Sequence, residues 1–98
     1  VKLSEIFADG RVWNIRDDIA TLNALGASGP GEAEITLRLA PIDWVLKPGS
    51  RLRLEISSSN FPAFPAHSNQ AGLWSEIATI QSAEQLVSGG VLELTVVQ

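Results

Sequence analysis

The residues of this chain that could do chemistry are one histidine, a run of serines and a few aspartates. His67 is the only histidine, and Ser57, Ser58, Ser59 and Ser68 lie around it in sequence. Nucleophilic catalysis needs Ser or Cys, His and an acid held in mutual hydrogen-bond reach. An α/β-hydrolase presents that serine on a Gly-x-Ser-x-Gly elbow, and the chain has none. No catalytic residue is therefore expected, and His67 reads as a solvated loop histidine. Asp9, Asp17 and Asp18 suggest calcium, which takes about six to eight oxygens converging from several segments. Two adjacent aspartates point to opposite sides of an extended chain, so turn roles are expected instead. Zinc needs nitrogen and sulfur ligands, and one His without any Cys cannot supply them. The expectation is no metal and no cofactor.

Aromatic residues offer binding rather than reaction. Trp13, Trp44 and Trp74 could stack sugars if their faces are exposed, as in jelly-roll lectins. The competing expectation is that they fill the core or its rim, because an indole buries so much area. A second aromatic group lies in "RLRLEISSSNFPAFPAHSNQAG", residues 51–72. A cleanly alternating strand there runs into a loop rich in Ser, Phe and Pro. Pro62 and Pro65 hold Phe61 and Phe64 extended, and Asn60 suits an Asx turn. Two stiffened aromatics make a compact lid. It would either close the end of a β-sandwich or pack on a neighbouring domain, so Asn60, Phe61, Pro62 and Phe64 are the candidate domain-interface residues.

The elements that carry these residues are strands. Ninety-eight residues allow one domain, 1–98, and 45% hydrophobic content is enough to give it a core. Net charge is −4 and the seven basic residues are scattered, which argues against a nucleic-acid or anionic-membrane surface. No apolar run approaches the ~18 residues of a membrane span, and no signal peptide opens the chain. The lack of cysteine excludes a disulfide framework and leaves the compartment open, with the cytoplasm as the expectation. Without a methionine, Val1 does not read as a natural start, and a preceding segment is expected.

Turn signals recur at strand-length intervals. Asp9-Gly10 predicts a type I′ hairpin joining 1–8 to 11–16. Residues 32–39, 51–58 and 91–97 alternate apolar and polar, which marks an antiparallel sheet with one buried face. Pro48-Gly49 predicts a type II turn. Leu3 and Ile6 could share a face only through a bulge. Residues 76–82 are assigned to strand on β-branched content. Six or seven such strands imply a β-sandwich, jelly roll or barrel.

"LKPGSRLRLEISSSNFPAF", residues 46–64, resembles a stretch of the C-terminal domain of X-Pro dipeptidyl-peptidase-like and cocaine-esterase-like serine hydrolases. "VKLSEIFADGRVWNIRDD", 1–18, is similar to that family's strand, Asp-Gly turn and strand. "PGEAEITLRLAPIDWVL", 30–46, is similar to the segment before its Gly-His-Arg turn, and "SNQAG", 68–72, stands near its Asn-x-Asn-Thr-Gly. Departures are Ser50 for a usual His, Asp18 for Gly, Ala66-His67 for Arg-Asn, and Gly89-Gly90 for His-Pro. The resemblance implies an all-β, galactose-binding-like jelly roll whose first strands are missing here. It also implies that the catalytic Ser, Asp and His lie in an upstream α/β-hydrolase domain.

The expected function is that of a non-catalytic C-terminal β-sandwich domain of a hydrolase of esters, amides or X-Pro peptides, supporting the catalytic domain and its cleft. The alternative is a carbohydrate-binding jelly-roll module using exposed tryptophans. Expected partners are the upstream catalytic domain or the missing N-terminal strands, with homo-oligomers through an open sheet edge as a further outcome. Neither nucleic acid nor membrane is expected.

Overall fold

Residues 2–17 fold into a hairpin. A computed structural model, describing residues 1–27, 29–65, 67–70 and 79–97, places strand β1 at Lys2–Ile6 and strand β2 at Val12–Asp17, paired antiparallel. The turn between them is not type I′. Gly10 N–H donates to the Phe7 carbonyl at 2.9 Å and Phe7 N–H to the Arg11 carbonyl at 2.9 Å. Only Gly10 in this loop has positive φ, at 87°. This is the three-residue hairpin loop, in which one glycine takes the left-handed position. Asp9 serves through its side chain instead, accepting Arg11 N–H at 3.0 Å and Arg11 Nε–H at 2.7 Å.

The hairpin does contain a bulge, but in β2. Between Leu3 and Ser4 the β1 register advances one residue while β2 passes from Arg16 to Asn14, leaving Ile15 as the extra residue. β1 itself stays regular, so Leu3 and Ile6 lie on opposite faces.

Strand β3, Arg51–Glu55, pairs with the other side of β1, giving the sheet order β2-β1-β3. Leu54 stands opposite Leu3 and Leu52 opposite Glu5. Residues directly opposite share a face, so Leu3, Glu5, Leu52 and Leu54 form one side of the sheet. Leu3 and Ile15 are its buried apolar residues. The fold is all-β and antiparallel, and no helix among the described residues is long and apolar enough to cross a membrane.

A strap over residues 40–50 crosses the Glu5 side. Arg16 ties its start to the hairpin, donating Nε–H to the Ala40 carbonyl at 3.1 Å and Nη2–H to that of Pro41 at 3.0 Å. At its far end Ser50 N–H donates to the Lys47 carbonyl at 3.1 Å, with Gly49 at φ 78°. That is the type II turn expected of Pro48-Gly49.

Four expected strands do not form over their expected ranges among the described residues. Residues 32–39 and 91–97 carry the alternation but make no ladder among the described residues, and 51–58 shortens to 51–55. Of 76–82, residues 76–78 lie outside the described residues and 79–82 make no ladder. Alternation decides which face a segment would bury, but a strand also needs a hydrogen-bonding neighbour.

The chain divides into two units, Val1–Pro65 and Ala66–Gln98. The first holds the sheet and the strap. In the second, the turn at 67–70, with Asn69 at φ 60°, is clipped to residues 79–81. Asn69 Nδ2–H donates to the Gln81 carbonyl at 2.6 Å, Gln81 N–H to that of Ser68 at 2.9 Å, and Gln70 Nε2–H to that of Thr79 at 2.8 Å.

Candidate functional site

The most constrained polar group in the first unit is one the sequence motifs did not single out. Glu5 occupies the middle of the central strand and is 0% exposed. Its Oε1 accepts the Lys47 backbone N–H at 2.8 Å and the Ser50 hydroxyl at 2.6 Å, and its Oε2 accepts Trp44 Nε1–H at 2.7 Å. All three donors belong to the strap. A buried carboxylate is tolerable only when its oxygens are satisfied, and these are. The Ser50 hydroxyl, the Lys47 N–H and the Trp44 indole hold the Glu5 carboxyl below its usual range, against burial, which pushes it up. The signal was available. In Leu3-x-Glu5 the acid falls on the same strand face as the buried leucine, where a charge needs dedicated partners.

Glu5 is fully committed and closed to solvent, which suits anchoring rather than proton transfer to a substrate. Beside it the hairpin and strap enclose a cleft of about 360 Å³ lined by Phe7, Arg11, Trp13, Asp43, Trp44 and Val45. Trp13 is 53% exposed, and its ring meets Phe7 edge-on with centroids 5.9 Å apart. The Arg11 guanidinium sits 5.4 Å from the Phe7 ring centroid. Trp44 is half-buried by its bond to Glu5, and Trp74 lies outside the described residues.

The loop after β3 is tied at the opposite end of the sheet. Asn60 does not form the expected Asx turn. Its Nδ2–H donates to Asp17 Oδ2 at 2.9 Å, and this bond holds the Asp17 carboxyl below its usual range, opposed by desolvation. Ser59 Oγ accepts the Phe61 N–H at 3.3 Å, and Phe64 N–H donates to the Asn60 carbonyl at 3.0 Å. Phe61, before Pro62, is 73% exposed, and Phe64 is also exposed. A second cleft of about 350 Å³ borders the loop, lined by Lys2, Asp18, Ile19, Ile56, Ser59 and Asn60 among others.

The remaining expected residues are dispersed. Asp18 accepts the Ile19 N–H at 2.8 Å, a turn role, while Asp9 is spent on Arg11. No group of three or more metal-ligating side chains gathers among the described residues. His67 is half-buried rather than on the open surface, and its Nδ1 accepts the Asn69 N–H at 2.9 Å.

A family model described as the X-Pro dipeptidyl-peptidase C-terminal non-catalytic domain matches residues 1–90. No curated protein and no solved structure matches the chain.

Proposed function

The chain belongs to the X-Pro dipeptidyl-peptidase C-terminal non-catalytic domain family, and from that premise we propose that it buttresses the catalytic domain of a serine hydrolase and its cleft. In this reading residues 1–98 are one β-sandwich domain of jelly-roll, galactose-binding-like type. Its parent cleaves an ester, amide or X-Pro peptide through an acyl-enzyme formed outside this chain. The observation that carries the proposal is a row of exposed apolar residues along β3 and just after it. Leu52, Leu54 and Ile56 are exposed beside buried Leu3, although the pattern that placed them there is that of an inner face. A row of this kind calls for a second layer or a neighbouring domain.

The loop carrying Asn60, Phe61, Pro62 and Phe64 is the second contact of this reading. Asn60 ties it to the sheet, which leaves Phe61 presented outward. Sugar stacking is less well supported. Trp44 is engaged by Glu5, and Trp13 packs on Phe7 as a rim residue would.

The test is hydrolysis. The isolated 98 residues should not turn over a p-nitrophenyl ester, whereas the parent hydrolase should. Turnover by the isolated chain that is lost in His67→Ala would overturn the proposal.

A further inference from the structure

The side of the sheet that carries Glu5 also gathers three aromatic side chains. Trp13 stands directly opposite Glu5 in the β1–β2 ladder, so the two share a face. Trp44 reaches that face from the strap and is fixed there by its indole bond to Glu5. Phe7 meets Trp13 edge-on. Two indoles and a phenyl ring thus wall the cleft of about 360 Å³ between hairpin and strap, and Trp13 is 53% exposed. A wall of this kind takes either an apolar group or a cation, because the face of an aromatic ring is negative.

The charges around the cleft decide between them. Arg11 is matched by Asp9 at 2.7 Å, and its guanidinium lies 5.4 Å from the Phe7 centroid. One cation of the chain itself therefore already rests on this aromatic wall. The Lys47 ammonium is engaged as well. It adds its attraction to the hydrogen bonds from Ser50, Lys47 N–H and Trp44 that lower the Glu5 carboxyl. Asp43 also lines the cleft, is exposed, and has no hydrogen bond or ion pair among the described residues. Three carboxylates, Glu5, Asp9 and Asp43, thus stand against two cations, and Asp43 is the one left uncompensated. An anion would meet Asp43, and a neutral ligand would leave its charge unused.

We propose that this cleft binds a small alkylated ammonium ion, its methyl groups packed on Trp13 and Trp44 and its charge balanced by Asp43. Alkylation is what the walls select. A primary ammonium is strongly hydrated and carries three N–H donors that rings cannot satisfy, whereas a quaternary ammonium has none. A metal ion is excluded by donor count, since calcium needs about six to eight oxygens and the cleft offers one uncommitted carboxylate. The cleft involves neither the β3 row nor the Phe61 loop, so this site stands or falls apart from the supporting role.

The experiment is an NMR titration of the unaltered chain with tetramethylammonium chloride at constant ionic strength. The Trp13 and Trp44 indole resonances should shift and saturate in the millimolar range. Tert-butanol, a neutral molecule of similar shape, should bind about fivefold more weakly. Benzenesulfonate, an aromatic anion able to pair with Arg11 and Lys47, should bind no better than tert-butanol. Asp43→Asn should weaken tetramethylammonium binding about fivefold and Trp13→Leu about tenfold. Unchanged β1 amide resonances would show that each variant folds. Asp43 is exposed and bonded to nothing the fold needs, so its variant keeps the test sharp even if Trp13→Leu unfolds. The absence of a saturable shift, equal affinity for tert-butanol, tighter binding of benzenesulfonate, or undiminished binding by Asp43→Asn would each overturn the proposal.

Discussion

Two carboxylates of the same sheet each hold a crossing segment, and they do it differently. Glu5 sits mid-strand on the central strand, shut from solvent, and takes three donors from one strap. Asp17 ends an edge strand, half-buried, and takes one side-chain amide from the loop after β3. Both have lowered pKa values, and in both the leading cause is a hydrogen bond: from the Ser50 hydroxyl for Glu5 and from the Asn60 amide for Asp17. What differs is the consequence of failure. Around Glu5 the partners are held inside the strap and cannot all turn to water. Around Asp17 a lost partner is replaced by solvent. Removing one partner of a buried charge strands the other, whereas an exposed pair contributes little.

The sharpest way to break the comparison is Glu5→Ala. It leaves the Trp44 indole, the Lys47 amide and the Ser50 hydroxyl without their acceptor. A fall in thermal midpoint of roughly 10 °C or more is expected for a domain of this size, with the strap released, and Trp44 fluorescence should shift toward that of solvated indole. pH tests the same contact without mutation. The folded carboxyl lies below the ordinary 4.5, so its stabilisation is fully present above about pH 4.5 and is lost as pH falls through the folded value. Glu5→Gln should flatten the acid limb of the stability curve. An acid limb unchanged in Glu5→Gln would show that the buried carboxylate does not hold the strap.

A smaller effect is expected from the turn that delivers two of those donors. Gly49 has φ 78°, with open space where a Cβ would stand. Any cost of Gly49→Ala is therefore backbone strain, about 1–2 kcal/mol for a left-handed position. Chemical denaturation should register it, and Gly49→Asn should cost less because Asn tolerates that region. If Ala and Asn cost the same, the turn is not what sets Lys47 N–H and Ser50 against Glu5.

What could be read in advance followed from how local each determinant is. The Pro48-Gly49 turn and the start of β3 depend on a few consecutive residues, and both were legible. The Asp9-Gly10 hairpin was legible as a hairpin but not as a turn type. Gly alone decides the left-handed position, and Asp9 was free to bond Arg11 instead. Residues 32–39 alternate as well as β3 does, yet they make no ladder among the described residues, because pairing depends on a partner that alternation cannot supply. The family resemblance came through the Ser-Asn-Phe-Pro block and the strand before it. Asn60 before Phe61-Pro62 suggests a local turn, but its partner is 43 residues away in sequence. Glu5 and Trp44 are separated by 39 residues, and neither belongs to a motif of fixed spacing.

Asn60→Ala asks whether the Asp17 contact is as weak as the comparison requires. The substitution frees one carboxylate oxygen that water can reach, so the thermal midpoint should fall by no more than a few degrees. The change should be local. The Phe64 N–H, bonded to the Asn60 carbonyl, should exchange faster, while amides of β1 should not. Asp17→Asn and Asn60→Ala combined should lower the midpoint by less than the sum of their separate effects, since the two residues share one bond. If the single substitution lowered the midpoint as far as Glu5→Ala does, the two ends of the sheet would be equally dependent on their carboxylates. The loop would then be part of the fold rather than a segment the sheet holds out toward a partner.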